Sequence, residues 1–395
     1  MKRRDLLAMA ATLPALGLSS RLFAIGDSPA RFLLVFLRGG YDCANFLIPY
    51  SSQDYYAARP TIAIARPDDN NPTGALALDA DWALAPAVRE SLGPLWAQRQ
   101  AAFIPYAGTD DLSRSHFETQ DSIELGQPIT GPRNLRSGYL GRLAGVVTGA
   151  NPIAFTDALP LVFQGDTDIP NVSLKSVSKP VFDDRQAKIL TSMYSGGHLE
   201  PAVAEGLEMR QEVSKAMQDE MVQANRGAAN AKAFDVEAER VGKLMRDQYR
   251  LGFIDVGGWD THINEGGAQG ALANNLGNLS RGLNTFAQTL GPEWRNTVVV
   301  VISEFGRTFR ENGNKGTDHG HGSVYWVLGG GISGGQIVGR QQRAEFRSLL
   351  QNRDYYVLND HRAVVGGLFK SMWGLSVDNM ERVFPGVTPT DLQLV

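Results

Sequence analysis

The sequence predicts an α/β protein in which a largely parallel sheet is sandwiched between helices. Three observations predict it: short apolar runs of strand length that end in glycine or polar loops, helical stretches that alternate with those runs, and the continuity of the runs, which marks strands buried on both faces. Arg31 to Leu37 (RFLLVFL) is such a run and ends at Gly39 and Gly40. A helical stretch at 85–98 leads into AAFIPYAG, Ala101 to Gly108, a second strand. Residues 139–147 read as helix, and LGFIDV, Leu251 to Val256, is a further apolar run. Helical spacing resumes at 268–290, followed by NTVVVVI at 296–302, the clearest strand of all, and by SVYWVL, Ser323 to Leu328. Residues 362–373 close the pattern as helix. The segment 202–250 differs: it is charged and nearly free of aromatics, with Val203, Leu207, Val213, Met217 and Met221 at helical spacing. It reads as two helices broken near Asn225, Arg226 and Gly227, an insertion or helical layer at about 200–250 whose methionines serve packing. No internal repeat or low-complexity linker interrupts the chain.

The amino terminus predicts export. Lys2, Arg3 and Arg4 precede an apolar stretch from Leu6 to Leu18 that is short for a bilayer span. Adjacent Arg3 and Arg4 followed by Leu6 and Leu7 look like a twin-arginine signal over residues 1–25, with processing near Ala24; an ordinary secretory signal is the alternative. The expected destination is periplasmic or secreted, with no transmembrane anchor after signal removal. Cys43 is the only cysteine, so no internal disulfide staples the fold and its stability rests on packing. A net charge of −4 gives no basic footprint for nucleic acid. Small molecules or proteins are the expected partners.

Acids and histidines cluster at loop positions. RGGYDCAN follows the first strand and carries Asp42 and Asn45; GGWDTH follows LGFIDV and carries Asp260 and His262; SEFGRT follows NTVVVVI and carries Glu304 and Arg307. TDHGHG, just before SVYWVL, supplies Asp318, His319 and His321, two of only six histidines in the chain. Loops at the carboxyl ends of parallel strands converge on one edge, which is where ligands bind. Two carboxylates about 4 Å apart repel by roughly 4 kcal/mol at an effective dielectric near 20, so gathering Asp42, Asp260 and Glu304 calls for a cation. Mixed carboxylate and imidazole donors suit zinc, manganese or iron better than calcium, and the donor count allows one or two ions. Each cluster also has a plainer reading: Asp42 and Asp260 as turn residues, Glu304 and Arg307 as a surface ion pair, His319 and His321 as exposed loop. His198 and His361 are read as structural. The 43 glycines exceed the usual share, and many sit beside these clusters, where tight backbone turns are expected.

SRSHFETQD, Ser113 to Asp121, supplies a nucleophile. Ser115 followed by Glu118 is a capping box, so Ser115 is expected at a helix start, where backbone N–H groups favour an anionic ester. Ser113 is the second choice, and His116 is a ligand or a base. GGGISGGQIVG, 329–339, lacks the dinucleotide spacing and reads as loop and turn.

Taken in order, the arginine pair, FLRGGYDCANFLIPY, YYAARPTIAI, SRSHFETQD, GGWDTH, SEFGRT and TDHGHG closely resemble the exported bacterial family known as domain of unknown function 1501, over nearly the whole chain. That family is grouped with the alkaline phosphatase superfamily, which includes sulfatases. The resemblance implies a three-layer αβα sandwich forming a single domain over 30–395, and a metal-dependent hydrolase of a small anionic phosphate or sulfate ester. It implies Asp42 opening the metal site, Ser115 as nucleophile, Asp260 and His262 on one metal, Glu304 as the acid of an Asp-His pair, and His319 or His321 as the late histidine. The sequence departs from the superfamily where Phe305 follows Glu304, since a histidine is expected there, and in the spacing of Asp260 and His262. Either the site is remodelled or one metal is lost. The alternatives are a non-catalytic binding or assembly module on the same scaffold, and a metal-assisted hydrolase of another ester that uses water.

Overall fold

The run RFLLVFL forms β1 (Arg31–Leu37), buried along its full length, at the centre of an eight-stranded sheet. The structure, a computed structural model, describes residues 29–156, 158–172, 193, 197 and 234–395. The segment expected to be an export signal, the break expected near 225–227 and His198 lie outside the described residues. The other strands are β2 (Leu47–Ile48), β3 (Leu76–Ala77), β4 (Ala83–Leu84), β5 (Ala101–Gly108), β6 (Pro152–Phe155), β7 (Leu251–Val256), β8 (Thr297–Ser303), β9 (Ser323–Leu328), β10 (Gln336–Ile337) and β11 (Asn359–Asp360). The order across the main sheet is β10-β5-β9-β8-β1-β7-β6, with β11 also on β5; β2, β4 and β3 make a small antiparallel sheet.

Direction matters more than order. β6, β7, β1 and β8 are mutually parallel, β9 is antiparallel to both β8 and β5, and β10 and β11 are parallel to β5. Reversing twice brings β5 back into line, so β9 is the single opposed strand of the main sheet. Its amino end therefore lies on the edge that carries the carboxyl ends of β1, β5, β7 and β8.

Strand alternation divides the core between two faces. Leu33, Val35 and Leu37 pack with α1 (Gln53–Ala58), α2 (Arg89–Ala97), α5 (Phe234–Asp247) and α6 (Ala271–Leu290). Phe32, Leu34 and Phe36 pack with α3 (His116–Leu125), α4 (Tyr139–Val146), α7 (His361–Trp373) and α8 (Val377–Val383). The three-layer sandwich is thus present. Helix α5, the described end of the helical segment, lies along α6 so closely that a Cβ on Gly242 would come 2.9 Å from the Thr289 Cβ. Within 329–339, read as loop and turn, β10 pairs with Ala102 and Phe103, an edge contact of two residues too short to show a period. No described helix is long and apolar enough to cross a membrane.

Trp326 of β9 anchors the layer below the functional edge. Its ring stacks on Phe46 at 4.0 Å, and its Nε1 donates to the Tyr41 hydroxyl at 2.9 Å. Trp326→Ala is expected to cost about 3–5 kcal/mol by opening a cavity and freeing that hydroxyl, as read by chemical denaturation.

Candidate metal centre

Four loops meet on the edge defined above: those after β1, β5 and β7, and the long connection from β8 to β9. The two arms of that connection are tied to each other by backbone bonds, Thr308 N donating to Asp318 O at 2.9 Å, Gly320 N to Gly306 O at 2.9 Å and Gly306 N to His321 O at 2.9 Å. Two glycines let neighbouring loops approach. Gly39, at φ +127°, places its backbone so that a Cβ would lie 2.7 Å from Asp260 N, and a Cβ on Gly316 would lie 2.4 Å from the carbonyl carbon of His262. Any side chain at either position forces the ligand loops apart.

The loops converge on His116, Asp260 and His319, whose donor atoms all lie within 4.8 Å of one another. His262 joins them: its Nε2 is 3.0 Å from Asp260 Oδ1 and 3.1 Å from His319 Nε2. Each imidazole is engaged at its other nitrogen. His116 Nδ1 meets Glu304 Oε1 at 2.8 Å, His262 Nδ1 meets Asp318 Oδ1 at 3.2 Å, and His319 Nδ1 meets the Arg114 carbonyl at 3.0 Å. A carbonyl only accepts, so His319 carries its proton on Nδ1 and, when neutral, presents a lone pair at Nε2. The Glu304 carboxylate favours the same tautomer in His116, whereas His262 meets a carboxylate at each nitrogen, Asp318 at Nδ1 and Asp260 at Nε2. His116 Nε2 is buried with no hydrogen-bond partner among the described residues. Three imidazole Nε2 atoms and a carboxylate turned towards one another form a donor set of the kind that fits a divalent ion of the zinc, manganese or iron type.

Surrounding groups hold the charges in place. Burial pushes the Asp260 carboxyl up, but the Arg307 guanidinium, which donates from Nη2 to Oδ1 at 2.6 Å, outweighs it and keeps that carboxyl below its ordinary range. Glu304 is fully buried, yet the His116 and Gln120 side chains and the Gly39 N–H, the last two at 2.9 and 2.8 Å, hold its carboxyl low. Burial, reinforced by the neighbouring His116, lowers His319 and so favours its neutral form. Arg307 has a buried side chain, and its Nε and Nη1 have no partner among the described residues. Buried donors of this kind are normally satisfied by water or by a ligand oxygen.

The expected site residues thus separate into groups. His116, Asp260, His262 and His319 come together at the centre, Glu304 and Asp318 stand one step back as partners of the imidazoles, and Arg307 braces Asp260. Asp42 does not join them. It lies fully buried in a bidentate pair with Arg59, whose Nη2 donates to Oδ1 at 2.9 Å and whose Nη1 contacts Oδ2, so neither oxygen is free to ligate without stranding a buried guanidinium. Asn45 is occupied by Tyr55 and Arg59. His321 is buried away from the group, and burial beside Arg114 pushes its imidazole down to about 4. Ser115 caps α3 through a long 3.5 Å contact from Glu118 N, and Ser113 accepts from Ser115 N at 3.3 Å. His361 is buried behind the N-cap Asp360.

Gln120, Arg59, Arg114 and Glu265 escaped the sequence reading. Gln120 lies one helical turn after His116, a spacing that marks a shared face. Arg59 and the Arg114 carbonyl have no local signal, because their partners are distant in sequence.

The family described as Protein of unknown function (DUF1501) matches residues 29–384. The chain belongs to the DUF1501 family. No curated protein sequence matches this DUF1501 chain. Among solved structures, the lipoteichoic acid synthase LtaP from Listeria monocytogenes is similar at 9% identity and TM-score 0.43, covering 95% of this chain and 78% of that one. The C-terminal periplasmic domain of EcEptC from Escherichia coli, in complex with Zn, matches at 8% identity and TM-score 0.37, over 76% of this chain and 72% of that one. A protein in the alkaline phosphatase superfamily from Vibrio parahaemolyticus matches at 12% identity and TM-score 0.36, over 78% and 61%. At such identities and scores no residue role or activity carries over to the DUF1501 chain.

Proposed function

We propose that this chain is an exported, metal-dependent hydrolase of phosphate or sulfate esters that holds one divalent ion between His116, Asp260, His262 and His319. The observation that carries the reading is the convergence of three imidazole Nε2 atoms on one carboxylate, each imidazole being oriented by a partner at Nδ1. A single ion accords with Asp42 being consumed by Arg59. When bound, the ion supplies a Lewis acid that polarises an ester oxygen. Asp260 supplies the compensating charge and the imidazoles fix the site. Arg307 donates from its two unpartnered nitrogens, Nε and Nη1, to an oxygen of the anion. Ser115 supplies the hydroxyl nucleophile at the start of α3, where the helix dipole favours negative charge.

One observation favours a second reading, in which water attacks a different ester: the Ser115 hydroxyl already has a capping duty. A panel of phosphate, sulfate and carboxylate esters, assayed with the metal-replete full chain, separates the two. The leading reading expects turnover of a phosphate or sulfate ester that falls by about 1,000-fold or more in Ser115→Ala and vanishes in His319→Ala. Turnover retained in Ser115→Ala and lost in His319→Ala supports water attack. Metal retention without turnover of any ester supports a non-catalytic binding module.

A further inference from the structure

Beneath the ligand loops lies a buried acid that the proposed chemistry does not use. Glu265 is fully buried, and one of its oxygens receives two hydroxyls: Thr261 Oγ1 donates to Oε2 at 2.8 Å and Thr317 Oγ1 donates to the same atom at 2.6 Å. Thr261 stands between Asp260 and His262, and Thr317 lies two residues before His319. The backbone repeats the link. Thr317 N donates to Thr261 O at 3.1 Å, Glu265 N donates to Lys315 O at 2.9 Å, and Leu272 N of α6 donates to Glu265 O at 3.2 Å. One carboxyl group thereby joins the loop after β7, the loop before β9 and the helix behind them.

We propose that Glu265 is a positioning residue: through Thr261 and Thr317 it fixes the separation of the loop bearing Asp260 and His262 from the loop bearing His319, and so sets the affinity of the centre for a divalent ion. This rests on the metal-centre reading given above. The His262 and His319 Nε2 atoms come from these two loops and stand 3.1 Å apart. Ligand sets need their donors held to within about 0.5 Å, so a small parting of the loops is felt directly in affinity. The Glu265 carboxyl also shares a side-chain hydrogen bond with Asp42. Burial and the adjacent Asp42 push this carboxyl well above the usual range, which keeps it neutral. Glutamine is therefore a close replacement, because its amide oxygen accepts the same two hydroxyls. Alanine accepts neither.

The test is a Zn2+ titration of the full chain against a competing chromophoric chelator, with the melting temperature of the metal-free protein recorded alongside. Glu265→Ala is expected to weaken zinc binding roughly tenfold or more, Thr317→Val about threefold or more, and Glu265→Gln to stay near the parent. A purely structural role would lower the melting temperature and leave zinc affinity unchanged in the folded molecules. Parental affinity in Glu265→Ala would overturn the proposal; should that variant not fold, parental affinity in Thr317→Val, which keeps the volume and removes one hydroxyl, does the same. A parent chain that takes up no zinc would overturn the metal-centre reading itself, an outcome distinct from a parent that binds and variants that bind equally.

Discussion

Replacing Asp260 by alanine is expected to empty the centre. Among the described residues, Asp260 Oδ1 is the one carboxylate oxygen that meets the His262 and His319 imidazoles together, at 3.0 and 3.5 Å, and it also accepts from Arg307. Without it, the imidazole Nε2 atoms face one another with no anion among them, and the buried Arg307 side chain loses its only hydrogen-bond partner in the described residues. Metal affinity should fall by at least about 100-fold, since even partners outside the coordinating set cost 10- to 100-fold. Turnover of any ester should fall with it. Asp260→Asn keeps an oxygen for Arg307 and loses the charge, so it should fold better than the alanine variant while binding metal poorly. Chelator competition and circular dichroism on the two variants separate the charge from the brace.

The second large effect falls on Asp42, and it falls on stability. Asp42→Ala leaves the Arg59 guanidinium buried without its ion-pair partner, a change that typically costs about 3–5 kcal/mol. Metal bound per folded molecule should stay near that of the parent chain, which a ligand role for Asp42 forbids. The pair also has a pH signature. Burial alone would raise the Asp42 carboxyl, but Arg59 more than offsets it and holds the carboxyl below its ordinary value. A carboxyl lowered on folding stabilises the protein above its unfolded pKa and loses that contribution as pH falls through the folded pKa. Denaturation midpoints should therefore drop below about pH 4 in the parent chain, and drop less in Asp42→Ala.

What the sequence disclosed follows from burial. β1, β5, β7 and β9 were readable to the residue, because strands covered on both faces are continuous apolar runs; β8 was displaced by one residue, beginning at Thr297 where Asn296 was expected. β6 starts at a proline, and β2, β3, β4, β10 and β11 have two residues each, too few to show a period. The reversal of β9 was not legible, since an apolar run buried on both faces has no direction. That reversal is what brings TDHGHG to the same edge as GGWDTH and SEFGRT. The concentration of histidine marked His319 and His321 alike, but only tertiary packing separates them, turning His319 to the Arg114 carbonyl and burying His321. Glu304 was expected as a ligand and stands one bond further out, because His116 from α3 comes between. Asp42 resembled a ligand in sequence because nothing local announces Arg59.

The element and stoichiometry of metal in the purified full chain, measured by inductively coupled plasma mass spectrometry after exposure to zinc, manganese and iron, test the central claim most directly. One transition-metal ion per chain, retained through gel filtration and lost in Asp260→Ala, is the predicted result. A chain that retains no ion, or that binds one equally well in Asp260→Ala, would contradict it.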